Sequence, residues 1–181
     1  KHRVLEKRFK VKNRGFNMSF LANLVKGCPL FLEIYDEEVE EVIQACDVAT
    51  FKKGEHIIHQ GEESSDIAII LDGCADVIIK DQFGKLKVIT QLVKGDLFGE
   101  LVLINETKRT ADIVAKEETN ILIISYENFY SFYKDNPKVF ALMVLNVTRM
   151  VTQRLKSANG IINNLSHEVQ ELKNKATNKA A

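Results

Sequence analysis

From residue 48 to residue 125, short runs rich in isoleucine and valine alternate with segments that contain glycine or aspartate. The punctuating segments are Gly54, Gly61, Asp72-Gly73, Phe83-Gly84 and Lys94-Gly95. Short apolar runs bounded by such turn residues predict β-strands. The predicted strands cover residues 48–52, 56–59, 67–71, 74–80, 86–92, 97–99, 110–116 and 119–124. This spacing favours an antiparallel sandwich or jelly roll, and such a β-roll can enclose a small pocket.

Helical periodicity flanks this region on both sides. Between residues 17 and 47, apolar residues recur at helical spacing, and a second helix is predicted to begin near Asp36. Helix returns at Tyr126, and Pro137 is predicted to lie in the first turn of the last helix. The predicted fold class is therefore mainly β with flanking helices: an antiparallel β-roll (jelly roll) with N-terminal helices and a long C-terminal helix.

A heptad pattern runs through the last helix. The a positions hold Thr148, Leu155, Ile162 and Val169, and the d positions hold Val151, Ala158, Leu165 and Leu172. β-branched residues at a, combined with leucine at d, favour a parallel two-stranded coiled coil. We expect the first half, up to about Ala158, to pack on its own domain and the second half to contact a partner. The sequence therefore predicts a homodimer that forms through the C-terminal helix.

These patterns divide the chain into four segments. Residues 1–16 form a basic linker, 17–140 the β-roll with its flanking helices, 141–175 the dimerising helix, and 176–181 a disordered tail. The first segment carries seven lysines and arginines against one glutamate. We interpret this charge run as a solvated linker, because most charge runs are solvated. The alternative is a patch that binds acidic lipid or nucleic acid.

Composition places the chain among soluble globular proteins. It has 181 residues, is 45% hydrophobic and 28% charged, and has a formal net charge of zero. Zero net charge provides no overall field for nucleic acid or a membrane surface, and no apolar run is long enough to span a bilayer. Three cysteines (Cys28, Cys46 and Cys74) lie in apolar stretches, and their odd number argues against a disulfide framework. We therefore expect a cytoplasmic protein. The first residue is Lys1 rather than methionine, which is consistent with a piece of a longer protein.

The segment from Phe98 to Ala111 carries the clearest chemistry. It reads FGELVLINETKRTA, with Arg109 ten residues after Gly99. Arginine presents a planar fork that pairs with a phosphate in bidentate fashion. The amides of a short helix beginning near Gly99 would point at the same anion. Glu100 repels a phosphate but can accept a hydrogen bond from a ribose hydroxyl. These groups suit one small ligand with a single anionic phosphate and a sugar hydroxyl nearby.

This segment resembles the phosphate-binding cassette of the cyclic nucleotide-binding domains. The similarity extends through Phe51–Glu62, Ile69–Gly73 and Lys94–Glu100, and covers about residues 25–160. The resemblance implies a β-roll and a binding site made of Gly99, Glu100, Leu101, Val102, Arg109, Thr110 and Ala111. Val102 and Asp112 depart from the family pattern. The family also caps the base from its C-terminal helix, here between Arg154 and Asn159, and Asn159 has the donor and acceptor that an adenine edge needs.

The function implied by the resemblance is that of a sensor. The ligand is expected to be cyclic AMP, with cyclic GMP as the alternative because Thr110 does not distinguish the two bases. Ligand binding would shift the equilibrium between arrangements of the C-terminal helix, and this change would be transmitted to a second protomer or to a downstream effector domain. The alternative from another class is a degenerate β-roll that binds nothing and serves as a dimerisation scaffold.

Catalytic and metal motifs are not evident in the sequence. The histidines (His2, His56, His59 and His167) are scattered and are predicted to be surface or strand residues rather than ligands. No catalytic triad or nucleotide-phosphate loop appears, so we expect neither an enzyme nor a cofactor. A transcription factor is also unsupported, because polar residues rather than a helix-turn-helix DNA-binding domain follow the heptads.

Overall fold

Residues 18–103 and 108–179 are described by the computed structural model. The predicted basic linker, residues 1–16, lies outside the described residues. The helices are α1 (Met18–Val25), α2 (Asp36–Gln44), α3 (Tyr126–Asp135) and α4 (Pro137–Lys179), with short 3₁₀-helices at Pro29–Phe31 and Glu100–Leu103. The strands are β1 (Asp47–Phe51), β2 (His56–Ile58), β3 (Ile67–Asp72), β4 (Cys74–Lys80), β5 (Leu86–Val93), β6 (Leu97–Phe98), β7 (Asp112–Ala115) and β8 (Thr119–Ile124).

The strands form two antiparallel sheets of four, in the orders β1-β8-β3-β6 and β2-β7-β4-β5. This confirms the predicted antiparallel β-roll. Four of the glycines that separate the predicted strands, Gly54, Gly61, Gly73 and Gly95, have positive φ, which is typical of glycine in turns. The largest difference in strand bounds is at β7, which begins at Asp112 instead of residue 110.

Strand β3 lies at the centre of the core and is buried on both faces. Ile67, Ile69 and Leu71 pack into the cluster that the helices cover, whereas Ala68 and Ile70 pack into the cluster between the sheets. A strand covered on both sides has no polar face, and this explains why β3 appears in the sequence as an uninterrupted apolar run. The core is therefore two layers that share the β1-β8-β3-β6 sheet.

The flanking helices are tied to the roll by defined polar contacts. Helix α3 begins after Ser125, whose hydroxyl accepts a hydrogen bond from the amide of Asn128 at 3.1 Å. The buried side chain of Asn146 on α4 donates to the carbonyls of Leu30 (3.0 Å) and Leu32 (2.8 Å). These bonds satisfy polar groups around the 3₁₀-helix Pro29–Phe31 and fix the proximal part of α4 on the N-terminal helices.

Helix α4 separates into a packed part and an exposed part. Met143 and Val147 are buried, and Val151 is the last residue that packs against the core. All side chains described beyond Val151, residues 152–175, are exposed. The prediction that the heptads pack on the domain up to Ala158 is therefore wrong, because Leu155 and Ala158 extend past its edge. The helix also reaches Lys179, so residues 176–179 of the predicted disordered tail are helical.

The cysteines differ in their surroundings. Cys28 and Cys46 are buried, and desolvation raises the pKa of Cys28 to about 11 and also raises the pKa of Cys46. Cys74 is only partly buried, contrary to the expectation of an apolar environment. Among residues 18–103 and 108–179, no helix has both the length and the apolarity needed to cross a membrane.

Candidate functional site

Gly99 follows strand β6 directly and leaves space for a neighbouring side chain. Its φ is +79°, a conformation that L-residues with a Cβ rarely adopt. A Cβ atom at this position would collide with Nη1 of Arg109 and would lie 2.9 Å from the carbonyl oxygen of Asp66. Only glycine therefore fits here, for both a conformational and a steric reason.

Arg109 is buried, with 8% of its surface exposed, beneath the loop between β2 and β3. Its Nη1 donates to the carbonyl of Gly99 at 3.2 Å, and its Nη2 donates to Ser64 Oγ at 2.9 Å and to the carbonyl of Asp66 at 2.5 Å. Its backbone also accepts from the amide of Gly61 (2.8 Å) and donates to the carbonyl of Glu62 (2.9 Å). These hydrogen bonds hold the guanidinium in place between Gly99 and the loop that contains Ser64 and Asp66.

Glu100 begins the 3₁₀-helix next to Gly99 and is also buried, with 8% exposure. Its Oε1 accepts a hydrogen bond of 2.6 Å from Nη1 of Arg154 on helix α4. The Nη2 atom of the same guanidinium donates to the carbonyl of Leu97. Arg154 therefore connects the C-terminal helix to both the acidic residue of the cassette and the strand that precedes it.

Sequence reasoning did not assign this role to Arg154. It lies at the start of the range 154–159, in which the sequence favours Asn159 as the base-capping residue because of its amide group. Asn159 lies five residues farther along the exposed part of α4. Its assignment to the site remains a prediction. The rotation of α4 about its axis determines which of its residues faces the cassette. This rotation depends on how the helix packs and cannot be predicted from residue types alone.

The other residues of the predicted cassette lie in the same turn or just before strand β7. Leu101 and Val102 are half-buried in the 3₁₀-helix, and Val102 packs against the helix-covered core. The additional methyl groups of Val102 thus contribute to the core. Thr110 is exposed and Ala111 is half-buried, between Arg109 and the start of β7. Their roles as ligand contacts stay predictions.

Asp112, the second departure from the family pattern, has its side-chain partners in strand β2 and directly after it. Its Oδ1 accepts a hydrogen bond from the amide of Gln60 at 2.8 Å and lies 3.9 Å from Nδ1 of both His56 and His59. The carboxylate therefore faces strand β2. The cassette itself combines a buried guanidinium, a short helical turn and a buried carboxylate, a set that suits an anion with a hydroxyl group beside it.

Comparison with known proteins agrees with this geometry. The sequence profile of the cyclic nucleotide-binding domain matches residues 48–136. The cAMP-activated global transcriptional regulator of Pasteurella multocida is 29% identical over 132 residues, which are 72% of this chain and 61% of that protein. The chain thus spans about three fifths of the length of the curated relatives it matches first.

Solved structures share the fold. The catabolite activator protein of Thermus thermophilus superposes with a TM-score of 0.68 at 26% identity, over 76% of this chain and 63% of that one. The regulatory subunit of a cAMP-independent protein kinase A from Trypanosoma brucei superposes with a TM-score of 0.65 at 24% identity, over 75% of this chain and 47% of that one. The chain therefore shares its β-roll architecture with these solved structures over about three quarters of its length.

Proposed function

Because residues 48–136 belong to the cyclic nucleotide-binding domain family, we propose that this chain binds a 3′,5′-cyclic nucleotide, and that the ligand is cyclic AMP. The observation that supports this most strongly is the packing of Arg109 against Gly99, beside the buried Glu100. These three residues lie close together, which supports a site for one phosphate and one ribose. The name of the Pasteurella multocida relative, a cAMP-activated regulator, supports cyclic AMP as the ligand.

In this proposal each group of the cassette has one task. The guanidinium of Arg109 pairs with the singly charged cyclic phosphodiester, and the amides of the turn at Glu100–Leu103 donate to the same phosphate. The Oε2 atom of Glu100 accepts from the ribose hydroxyl while Oε1 stays with Arg154. Thr110 contacts the phosphate or the base, which leaves cyclic GMP as the alternative ligand.

The C-terminal helix is proposed to report occupancy. Arg154 joins α4 to Glu100 and to the carbonyl of Leu97, so a ligand that stabilises Glu100 in place also stabilises the position of α4. A ligand shifts such an equilibrium only by its differential affinity for the two arrangements. The role is therefore regulatory rather than catalytic, and a cytoplasmic location remains a prediction.

The exposed apolar stripe of α4 is proposed to form a homodimer. Leu155, Ile162, Leu165, Val169 and Leu172 are each between 49% and 66% exposed. They repeat at a and d positions over about two and a half heptads, and such a stripe is buried when a second identical helix covers it. The dimer would carry the change at α4 to the second protomer or to a downstream effector domain.

The scaffold alternative shares the dimer but lacks the ligand, and a thermal shift experiment separates the two. A ligand at a hundred times its dissociation constant adds about 2.7 kcal/mol to the unfolding free energy. We expect cyclic AMP to raise the melting temperature and 5′-AMP, which carries a second negative charge, to leave it unchanged. If neither cyclic AMP nor cyclic GMP shifts the melting temperature at millimolar concentration, the sensor proposal is wrong and the scaffold is favoured.

A further inference from the structure

Two histidines and an aspartate meet at the edge of the second sheet, outside the cassette. His56 lies in β2, His59 follows that strand directly, and Asp112 is the first residue of β7. Nδ1 of each histidine is 3.9 Å from Oδ1 of Asp112. The imidazole rings are stacked, with centroids 4.4 Å apart and planes within 15°. Each of the three residues offers one ligand atom, and these atoms lie within 4.8 Å of one another.

A β-bulge brings the two histidines to the same side. In a regular strand, residues three apart point to opposite faces, so His56 and His59 would be separated by the sheet. The pairing of β2 with β7 is irregular between His56 and Ile58, where two residues of β2 advance the register by one on β7. Ile57 and Ile58 are consequently both buried, and the histidines on either side of them are both exposed.

The carboxylate of Asp112 is fixed in place before any ligand binds. Its side chain is 17% exposed, and the amide of Gln60 donates to its Oδ1 at 2.8 Å. Hydrogen bonds of this kind orient metal-ligating carboxylates in proteins. The imidazoles are 42% and 63% exposed, so they can adjust around the fixed oxygen.

We propose that His56, His59 and Asp112 form a binding site for a divalent transition-metal ion of the zinc class. Imidazole and carboxylate are both ligands that zinc accepts, and three protein ligands with water in the remaining position is a common zinc arrangement. Tetrahedral zinc with bonds of about 2.0–2.1 Å holds its donors roughly 3.4 Å apart. The two nitrogen–oxygen separations of 3.9 Å need to close by about half an ångström. The two histidine ligand atoms lie within 4.8 Å of each other and need to close by at most about 1.4 Å, which the exposed imidazoles can do by rotating.

The ion would stabilise an edge strand of the β-roll. Strand β2 has three residues, lies at the edge of its sheet and pairs only with β7 in that sheet. An ion bound by His56 and His59 from the β2 side and by Asp112 from β7 would cross-link the two strands through coordination bonds. The proposal uses no residue of the nucleotide cassette, so it holds or fails independently of the proposed function.

The test uses Zn²⁺, and Co²⁺ as a spectroscopic substitute, on tag-free protein first stripped with a chelator. We expect calorimetry to give one Zn²⁺ per chain and Co²⁺ to give visible bands of a complex with nitrogen ligands. His59→Ala and Asp112→Asn should each weaken Zn²⁺ binding at least about tenfold, the lower end of what even outer-shell changes cost. Zn²⁺ should also raise the melting temperature of the unaltered chain.

Two control variants keep the result interpretable. His167→Ala removes an exposed histidine from the distal part of α4 and should leave Zn²⁺ affinity unchanged. Cys74→Ser removes the partly exposed thiol and should also have no effect. His59→Gln, which keeps a polar side chain of similar size, serves in place of His59→Ala if that variant fails to fold. Absence of Zn²⁺ binding by the unaltered chain, or equal affinity in His59→Ala, His59→Gln and Asp112→Asn, would overturn the proposal.

Discussion

Replacement of Arg154 by alanine should weaken cyclic nucleotide binding even though this residue lies on the C-terminal helix. Its guanidinium donates to Oε1 of Glu100 at 2.6 Å and to the carbonyl of Leu97. We propose that Glu100 uses its other oxygen for the ribose. Without Arg154, the buried carboxylate loses the partner that fixes its position, and the ribose meets a less ordered acceptor.

The expected magnitude follows from the exposure of the pair. A hydrogen bond to a charged group contributes about 1.5–3 kcal/mol when it is shielded from water. The side chain of Arg154 is 41% exposed and that of Glu100 is 11% exposed, so solvent screens part of the interaction. We therefore expect a loss of about 1 kcal/mol of binding free energy, which is roughly a fivefold weaker affinity.

Isothermal titration calorimetry with cyclic AMP measures this effect, and Arg149→Ala is the matched control. Arg149 lies on the same helix and pairs with the carboxylate of Glu33 at 3.1 Å, and the two side chains are 44% and 56% exposed. Neither residue belongs to the cassette. The control should bind cyclic AMP like the unaltered chain. Equal affinities in both variants would refute the link between α4 and Glu100. A tighter affinity in Arg154→Ala would mean that Arg154 competes with the ribose.

Three further outcomes are expected. Gly99→Ala should lower the unfolding free energy measured in urea by at least about 1 kcal/mol more than Gly84→Ala does. Both glycines have positive φ, but only a Cβ atom at residue 99 would collide with its neighbours. Equal losses of unfolding free energy in the two variants would contradict this reasoning. The variant with both Leu165→Glu and Leu172→Glu should sediment as a monomer that still binds nucleotide, because like charges would face each other across the helix–helix interface. A dimer that persists in this variant would place the interface elsewhere. Cys74 should react with a thiol reagent at pH 8 while Cys28 and Cys46 stay protected, because Cys74 is partly exposed and the other two thiols are buried. Desolvation raises the pKa of all three thiols, so access of the reagent decides the difference, and three equal rates would argue against this packing.

The strands could be predicted from the sequence because local patterns determine them. Strand β3 appears as an apolar run since helices cover one face and the second sheet covers the other. Glycines bound the strands because their turns need a backbone that other residues avoid. These features depend on neighbours in sequence, and such neighbours are visible without a structure.

The site was predictable only in part, because its remaining contacts depend on how distant elements pack. Strand β7 was expected from residue 110 but begins at Asp112, and Arg109, three residues before it, pairs through its backbone with Gly61 and Glu62. The contact between Arg154 and Glu100 joins residues 54 positions apart, and the helix phase selects it. The pairing of His56 with His59 requires a bulge that the alternation of residue types does not reveal.

The most direct test of the central claim is a calorimetric titration of cyclic AMP into the unaltered chain and into Arg109→Ala. The variant loses charge-assisted bonds to the phosphate that are worth about 1.5–3 kcal/mol each, so we predict that most binding disappears. Arg109→Lys should restore little, because an ammonium group lacks the planar fork. Circular dichroism and urea unfolding establish first that each variant is folded, since Arg109 also holds Ser64 and the carbonyl of Asp66. A folded Arg109→Ala variant that binds cyclic AMP with unchanged affinity would contradict the account.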